Sequence, residues 1–180
     1  MSVLFENYHL HKSANYTSLP DALKSVLATL PEIAFTLGKA APKIKAEKRL
    51  LIHKDIEPLF IDAYTHCLRN SIDHGLEQVN ERQQNGKPDA GTITLDIDRD
   101  GDNVIFSISD DGRGLNLAFL QRKGLEQGIL VSDNLTDGAI AEVIFHSGTS
   151  SASQVSDISG RGVGMDAVRS VMKDAGANTY

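Results

Sequence analysis

The chain has 180 residues, of which 41% are hydrophobic and 23% are charged, proportions typical of one globular domain with its own core. Its formal net charge of −6 argues against a nucleic-acid partner, although a glycine loop or a bound cation can still attract an anionic ligand locally. The single cysteine, Cys67, cannot form an internal disulfide, and no stretch is long and apolar enough to span a membrane, so we expect a cytoplasmic protein without direct membrane contact.

The pattern of hydrophobic residues predicts secondary structure along most of the chain. Helical spacing marks the longer segments, and alternation of apolar and polar residues marks the strands. In chain order we predict an extension or linker over residues 1–18, a helix from Pro20 to about Gly38, short strands over 41–47 and 49–52, a helix over 55–84, strands over 92–98 and 103–109, helices over 116–128 and 137–146, a mobile segment over 147–160, and a last helix over 162–174.

The order of these elements favours an α+β fold. Asp100-Gly101 lies between the two alternating segments and suits the tight turn of a β-hairpin. A helix, short strands, a long helix, a hairpin and further helices do not make repeated βαβ units. We therefore expect a two-layer domain over residues 19–180, with helices on one face of a mixed, mostly antiparallel sheet.

The long predicted helix carries a polar stripe. His66, Asn70, Asp73 or His74, and Glu77 recur every three or four residues, which places them on one helix face. Amide, imidazole and carboxylate groups along one face are suited to hold a metal–phosphate group. The opposite face is largely apolar and able to pack on a sheet; it consists of Ile56, Leu59, Phe60, Ala63, Cys67, Ser71 and Ile72.

Two glycine-rich segments follow the polar stripe. The first, DDGRG, covers residues 110–114 directly after a predicted strand, and the second, SGRGVGMD, covers residues 159–166. The glycines of the second segment lie at the predicted start of a helix, where unpaired N–H groups and the helix dipole favour phosphate. Their G-x-G-x-G spacing differs from the dinucleotide fingerprint, and the chain lacks the P-loop pattern.

Together these segments resemble the ATP-binding domain of chemotaxis-type sensor histidine kinases, within the GHKL superfamily. HCLRNSIDHGLE is similar to the family's asparagine box, SDDGRGL to its first glycine box and SGRGVGMDAV to its second. The resemblance covers about residues 20–174 and implies the GHKL ATP-binding fold. Because the family continues with further strands after the position of Tyr180, the resemblance also implies a domain truncated at its C-terminus, with a sheet that lacks its last strands.

The resemblance implies a protein histidine kinase domain that binds ATP and Mg²⁺ and passes the γ-phosphate to a histidine on a separate phosphotransfer domain. A response regulator would take part indirectly, receptor and adaptor proteins would be further partners, and the parent protein would be dimeric through another domain. A non-catalytic nucleotide-binding signalling module is the main alternative. A GHKL ATPase is less favoured, because His66 stands where such ATPases carry a glutamate that activates water.

The resemblance also implies roles for individual residues. Asn70 would supply a hard amide oxygen to Mg²⁺. Asp110 would accept a hydrogen bond from the adenine amino group, with Gly112 and Gly114 allowing the backbone to approach the base. The residues implied around the phosphates are Arg69, His74, Lys123, Gly160, Arg161, Gly162 and Gly164, and Asp73 is a further candidate for nucleotide binding. For the basic side chains among them, a solvated surface position is the open alternative.

Overall fold

A computed structural model describes residues 2–5, 15–46, 51–100, 103–132, 135–146, 148–149, 165–174 and 176–179. These residues fall into two compact units. The first unit comprises Met1–Gly114 and Met172–Tyr180, and the second comprises Leu115–Val171. Across the described ranges, none of the helices combines the length and the apolar character needed to cross a membrane.

A mixed sheet forms the centre of the first unit. In spatial order, its five strands within the described residues are β3 (Lys43–Ala46), β5 (Thr92–Asp100), β6 (Asn103–Asp110), β1 (Ser2–Phe5) and β7 (Ala177–Thr179). The β3–β5 pair is parallel, and the other pairs are antiparallel. Two further strands, β2 (Tyr16–Ser18) and β4 (Leu51–His53), pair separately. The sheet confirms the predicted α+β class with a mixed, mostly antiparallel sheet.

The predicted hairpin is the longest paired region of the sheet. Strands β5 and β6 pair from Asp100 opposite Asn103 to Ile93 opposite Asp110. The apolar side chains that alternate along the two strands are buried; they are Ile93, Leu95, Phe106 and Ile108. The register places Asp110 at the end of the hairpin that is remote from its turn. Local alternation in the sequence therefore fixes where this carboxylate lies in the fold.

The N-terminal segment differs from its prediction as an extension or linker. Strand β1 pairs with β6, with Val3 opposite Phe106, and β7 pairs with β1 on its other side. Strand β6 therefore has a partner on both sides, β5 and β1. The physical reason is that β6 presents a row of backbone N–H and C=O groups that another strand can satisfy.

Four α-helices lie in the first unit in addition to the end of a fifth. They are α1 (Leu19–Ala22), α2 (Lys24–Thr36), α3 (Glu57–Asn70) and α4 (Val79–Gln84) within the described residues. The Ser18 hydroxyl accepts a hydrogen bond from the Asp21 N–H and caps α1. Helix α2 contains Pro31 and ends before Gly38, whose φ of 68° is readily adopted by glycine. The predicted stop at Gly38 is confirmed.

The apolar face of α3 packs on the sheet as predicted. The Phe60 ring stacks on Tyr64 at 4.6 Å and meets Phe106 of β6 edge-on at 4.5 Å. Aromatic pairs in these arrangements add to the free energy gained from burying their surface. Cys67 is buried on the same face, and burial raises the pKa of its thiol to about 12. The thiol is therefore a small packing group and not a reactive nucleophile.

The single helix predicted over residues 55–84 is wrong in its extent. Helix α3 ends at Asn70, and Ser71–Gly75 forms one π-helical turn. The turn is closed by the Leu76 N–H, which donates to the Ser71 carbonyl at 2.7 Å. A π-turn holds one more residue than an α-turn, so side chains beyond Asn70 leave the α-helical phase. Helix α4 follows after a short extended stretch.

The second unit is helical in its described residues. It contains α5 (Leu117–Glu126), α6 (Asp137–Ala141), a 3₁₀ turn (Glu142–Phe145) and most of α7, whose full range is Met165–Asp174. Asn116 and Thr136 cap α5 and α6 through their side-chain oxygens. Its buried cluster comprises Leu120, Ile140 and Val143. The predicted helices over 116–128 and 137–146 are thus confirmed, with a 3₁₀ ending to the second.

Candidate functional site

The first glycine-rich segment meets the π-turn at a very short backbone distance. A Cβ added at Gly112 would lie 2.1 Å from the Gly75 carbonyl oxygen and 2.4 Å from its carbon. The Arg113 N–H donates to the same carbonyl oxygen at 2.9 Å. Any side chain larger than hydrogen would displace the backbone here, so this position requires glycine. The contact joins the segment after Asn70 to the loop of residues 110–114, called the 110–114 loop below.

Asp110 begins the 110–114 loop, and its carboxylate is held beside the π-turn. Its Oδ1 accepts a hydrogen bond from the Gly112 N–H at 3.0 Å. A Cβ added at Gly75 would lie 2.8 Å from Oδ2, so a side chain there would push the Asp110 carboxylate away from its position. The side chain is half-buried, and an ionised carboxylate has more acceptor sites than this one bond uses. It can therefore accept a hydrogen bond from a ligand.

Helix α3 and the π-turn carry the predicted metal-side and phosphate-side residues. His66, Arg69 and Asn70 are half-buried in the last turns of α3, with Asn70 as its final residue. His66 and Asn70 lie one above the other, because residues four apart share a helix face. In the π-turn, His74 Nε2 lies 3.6 Å from Asp73 Oδ2, and both side chains are partly exposed.

Glu77 does not belong to the ligand-facing stripe, which corrects the helical-spacing prediction. Its side chain is 2% exposed, with Oε2 at 2.8 Å from Arg82 Nη1 and Oε1 at 2.6 Å from Lys87 Nζ. Because the π-turn and the extended stretch precede it, Glu77 is rotated away from the face that carries His66 and Asn70. It serves as the buried anion of an ion-pair network instead.

That network continues into the 110–114 loop through Asp111. Arg82 Nη2 lies 3.1 Å from Asp111 Oδ1, which also accepts a hydrogen bond from the Thr92 N–H at 2.9 Å. Lys87 Nζ donates to the carbonyl oxygens of Asp111 and Gly112, each at 2.9 Å. We call Glu77, Arg82, Lys87 and Asp111 the charged cluster. The charged cluster binds the 110–114 loop through the Asp111 side chain and through the backbone carbonyl groups of Asp111 and Gly112.

The two acids of the charged cluster are stabilised as anions. Burial works to raise the pKa of Glu77, but hydrogen bonds from Lys87, from its own backbone and from Arg82 outweigh it and lower the pKa below its ordinary value. Burial likewise works to raise the pKa of Asp111, and the Thr92 N–H and the Arg82 guanidinium lower it overall. Both carboxyl groups are therefore ionised near neutral pH.

Lys39 holds the π-turn through hydrogen bonds to its carbonyl groups. Its Nζ donates to the carbonyl oxygens of Ile72 and Asp73, each at 2.6 Å. Burial lowers the pKa of this lysine, although the nearby Asp73 acts in the opposite direction. Lys39 directly follows the Gly38 turn at the end of α2, so the helix end and the π-turn are joined by one half-buried ammonium group.

The remaining predicted site residues are placed in the second unit or lie outside the described residues. Lys123 on α5 contacts Glu126 Oε2 at 3.1 Å, an exposed pair. The predicted phosphate loop lies outside the described residues, as does most of the segment predicted to be mobile; the site residues concerned are Gly160, Arg161, Gly162 and Gly164. In the same unit, the Arg169 guanidinium lies 4.9 Å above the ring of Phe145, which is buried.

The side chains at this site suit a metal ion that is bound partly by the protein and partly by oxygen atoms of the ligand. Among the described residues, no group of three or more His, Cys, Asp or Glu side chains is arranged to hold a metal. Asn70 offers a neutral, hard amide oxygen, and Mg²⁺ is often bound by one or two protein groups together with phosphate oxygens and water. The residues present therefore fit a shared metal–phosphate site.

Sequence reasoning missed most of the groups that fix this site. Gly75 was one residue of a longer motif, and Lys39, Arg82 and Lys87 were ordinary charged residues in predicted loops and helices. Arg82 and Glu77 are five residues apart, which matches no helix-face pairing. The available signal was the density of glycine, proline and opposite charges in residues 75–91, which is unusual for a solvated helix.

Comparison with known proteins assigns the chain to a family. The sequence model of the histidine kinase-, DNA gyrase B- and HSP90-like ATPases matches residues 58–179. The match covers more than half of the chain and includes Asn70, the π-turn and the 110–114 loop. The chain therefore belongs to this family.

Curated relatives identify the type of ATP-binding domain within this family. The chemotaxis protein CheA of Salmonella typhimurium is 37% identical over 147 residues, which cover 82% of this chain and 22% of the relative. CheA of Bacillus subtilis is 42% identical over 120 residues, covering 65% and 18%, and CheA of Treponema pallidum is 33% identical over 155 residues, covering 82% and 19%. The chain carries a CheA-type GHKL ATP-binding domain and spans about a fifth of the length of these relatives.

The close approach of Gly112 to Gly75 yields a first prediction. Gly112→Ala should lower the free energy of unfolding by about 1–3 kcal/mol, the usual cost of overpacking, because the methyl group would meet backbone that cannot rotate away. Gly138→Ala is the matched control, since its added Cβ meets nothing within 4 Å. Urea unfolding of both variants measures the difference; an equal effect of the two substitutions would contradict the contact.

The ionised acids yield a second prediction, on acid stability. Because folding lowers the pKa values of Glu77 and Asp111, their contribution is present above the ordinary values of 4.5 and 3.8 and is lost as pH falls through the lower folded values. Stability should therefore decline below about pH 5. Asp111→Asn should flatten this decline, whereas Asp96→Asn, at an exposed position, should not. Urea midpoints between pH 7 and pH 3 give the slopes, and identical slopes in both variants would refute the assignment.

Proposed function

We propose that this domain binds Mg²⁺-ATP and supplies the γ-phosphate to a histidine on a separate phosphotransfer domain. The observation that carries the proposal is the Asp110 carboxylate, held by the Gly112 N–H beside the glycine contact with the π-turn. The family match and the CheA relatives support the nucleotide and the reaction class. Phosphate transfer of this kind relies on positioning and on stabilisation of charge.

Asp110 accounts for selection of the base. An ionised carboxylate only accepts hydrogen bonds, so it pairs with the exocyclic amino group of adenine. Guanine carries a carbonyl oxygen at the corresponding position and would leave two acceptors facing each other, which is unfavourable at a partly buried site. Gly114 leaves room for the base beside the loop, because a Cβ there would meet nothing within 4 Å; the missing side chain of Gly112 instead admits the Gly75 carbonyl group.

The residues at the end of α3 account for the phosphate side. Asn70 would hold Mg²⁺ through its amide oxygen, and the bound ion would offset the charge of the phosphates. Arg69, Asp73 and His74 lie in the same short segment of α3 and the π-turn. The further phosphate contacts proposed on the resemblance are those of Lys123, Gly160, Arg161, Gly162 and Gly164.

His66 favours transfer to a protein acceptor over hydrolysis. It lies four residues before Asn70 on the same helix face, where the ATPases of the superfamily carry a glutamate. A carboxylate there acts as a general base on water, and an imidazole in its place leaves the phosphate for another acceptor. In the proposed pathway that acceptor is the phosphotransfer histidine. A response regulator then receives the phosphate, and receptor and adaptor proteins control the parent dimer.

A third prediction tests base recognition. Asp110→Asn should weaken ATP binding by roughly 1–3 kcal/mol, because the variant presents an amide in place of an acceptor carboxylate. Asp96→Asn, an exposed substitution on β5, should bind as the wild type does. Calorimetric titration with ATP and GTP measures both affinities. Equal binding of ATP and GTP by the wild type would remove the role of Asp110.

A fourth prediction tests the metal and the reaction together. Asn70→Ala should lower transfer of labelled phosphate from ATP to an added phosphotransfer domain by about 100-fold, the upper range for loss of groups that support a metal ligand. Its ATP affinity should become nearly independent of Mg²⁺. Asn80→Ala, exposed on α4, is the control.

Three results would separate the alternatives in the same assay. Full transfer by Asn70→Ala would contradict the metal role. Rapid ATP hydrolysis by the wild type without acceptor would favour an ATPase. Tight ATP binding with neither transfer nor hydrolysis would favour a nucleotide-binding signalling module.

A further inference from the structure

We propose that Lys87 and Arg82 are positioning residues that set adenine affinity by fixing the 110–114 loop, without contacting the nucleotide themselves. The inference rests on the proposed function, since it concerns the same loop. It assigns to these two cations a role in base recognition. If both were ordinary solvated surface residues, they would have no such role.

Lys87 holds two successive carbonyl groups of the loop. Its Nζ donates to Asp111 O and Gly112 O at 2.9 Å each and to Glu77 Oε1 at 2.6 Å. An ammonium group has three N–H donors, so these three acceptors use its full capacity. The Lys87 backbone is itself fixed, because its N–H donates to the Arg82 carbonyl at 2.8 Å directly after the turn at Gly86.

Arg82 fixes the side chain of the same loop residue. Its guanidinium is 1% exposed and lies between Glu77 Oε2 at 2.8 Å and Asp111 Oδ1 at 3.1 Å. Its Nε donates to the Pro88 carbonyl at 2.6 Å, which ties the connection between α4 and β5 to the same group. A planar guanidinium with a fixed set of donors orients its partners more strictly than a point charge does.

Asp111 is consequently held through its N–H, its carbonyl group and its Oδ1. Its N–H donates to the Thr92 carbonyl at 3.1 Å, its Oδ1 accepts from the Thr92 N–H, and its carbonyl accepts from Lys87. The neighbouring Arg113 pairs with Glu81 of α4 at 2.9 Å. Every residue from 111 to 113 thus has a polar bond to the segment over residues 77–92, and Asp110 is attached to Gly112 within this fixed loop.

The expected effect is on geometry more than on stability. Loss of Lys87 alone leaves the buried Glu77 carboxylate paired with Arg82, so no anion is left without a cation. The charge-assisted bonds of Lys87 restrict where the loop carbonyl groups lie. A loop that moves by a fraction of an ångström would shift the Asp110 carboxylate away from its ligand partner. Binding of the base should therefore weaken while binding of phosphate groups does not.

Lys87→Met is the variant that isolates this effect. It keeps the aliphatic stem and removes all three hydrogen bonds, and the 32% exposure of the lysine side chain lets water reach part of the site. Lys87→Arg is the conservative variant, since a guanidinium can again donate to neighbouring carbonyls. Lys24→Met, exposed on α2, is the control for loss of a lysine charge.

The experiment compares adenosine, ATP and inorganic tripolyphosphate, each titrated with Mg²⁺ present. Lys87→Met should weaken adenosine and ATP binding by roughly 10-fold, the loss expected for hydrogen bonds to a charged group, and leave tripolyphosphate binding unchanged. Lys87→Arg should recover most of the adenosine affinity, and Lys24→Met should match the wild type. If Lys87→Met does not fold, Lys87→Gln takes its place in the same comparison.

Two results would overturn the inference. The first is adenosine binding by the variant equal to that of the wild type. The second is an equal loss for adenosine and tripolyphosphate, which would mean general destabilisation. A wild-type domain that binds tripolyphosphate but no adenine compound would instead remove the proposed function, so the two failures are distinguishable.

Discussion

The close contact between Gly75 and Gly112 is the constraint on which the rest of the site depends. It joins the segment that follows α3 to the loop that follows β6, with no side chain between them. The Arg113 N–H closes the contact by donating to the Gly75 carbonyl at 2.9 Å. The residues proposed to meet the metal and the base therefore share one fixed point of backbone, and their separation is set by main-chain geometry and not by flexible side chains.

Groups on either side of this contact keep the two segments in place. Lys39 binds two carbonyl groups of the π-turn, and the charged cluster binds the 110–114 loop. Both arrangements use cations that satisfy backbone acceptors, which would otherwise lack partners at the ends of helices and strands. Neither backbone segment can shift at the glycine contact. The hydrogen bonds from the surrounding structure therefore hold both segments in the positions that the contact requires.

The sequence predicted the parts of the fold that local patterns determine. Alternation and the Asp-Gly turn were enough for the β5–β6 hairpin, and the apolar spacing of α3 was enough to predict which face it buries. The π-turn could not be predicted, because it depends on hydrogen bonds from Lys39, more than thirty residues earlier in the chain. For the same reason the prediction that Glu77 lies on the same helix face as His66 and Asn70 was wrong. Strand β1 has four residues, too few for a periodic signal.

The buried charges of Glu77 and Arg82 also restrict how this sequence can change over time. Loss of Glu77 alone would remove the anion that Lys87 contacts and leave the buried Arg82 with Asp111 only, and loss of Arg82 alone would leave a buried carboxylate with one partner, each a costly single step. Exchange of the whole set for apolar side chains of similar volume avoids both intermediates but needs several changes at once. These positions are therefore expected to vary together or not at all among descendants of this sequence, so that paired substitutions at 77 and 82 would report their contact.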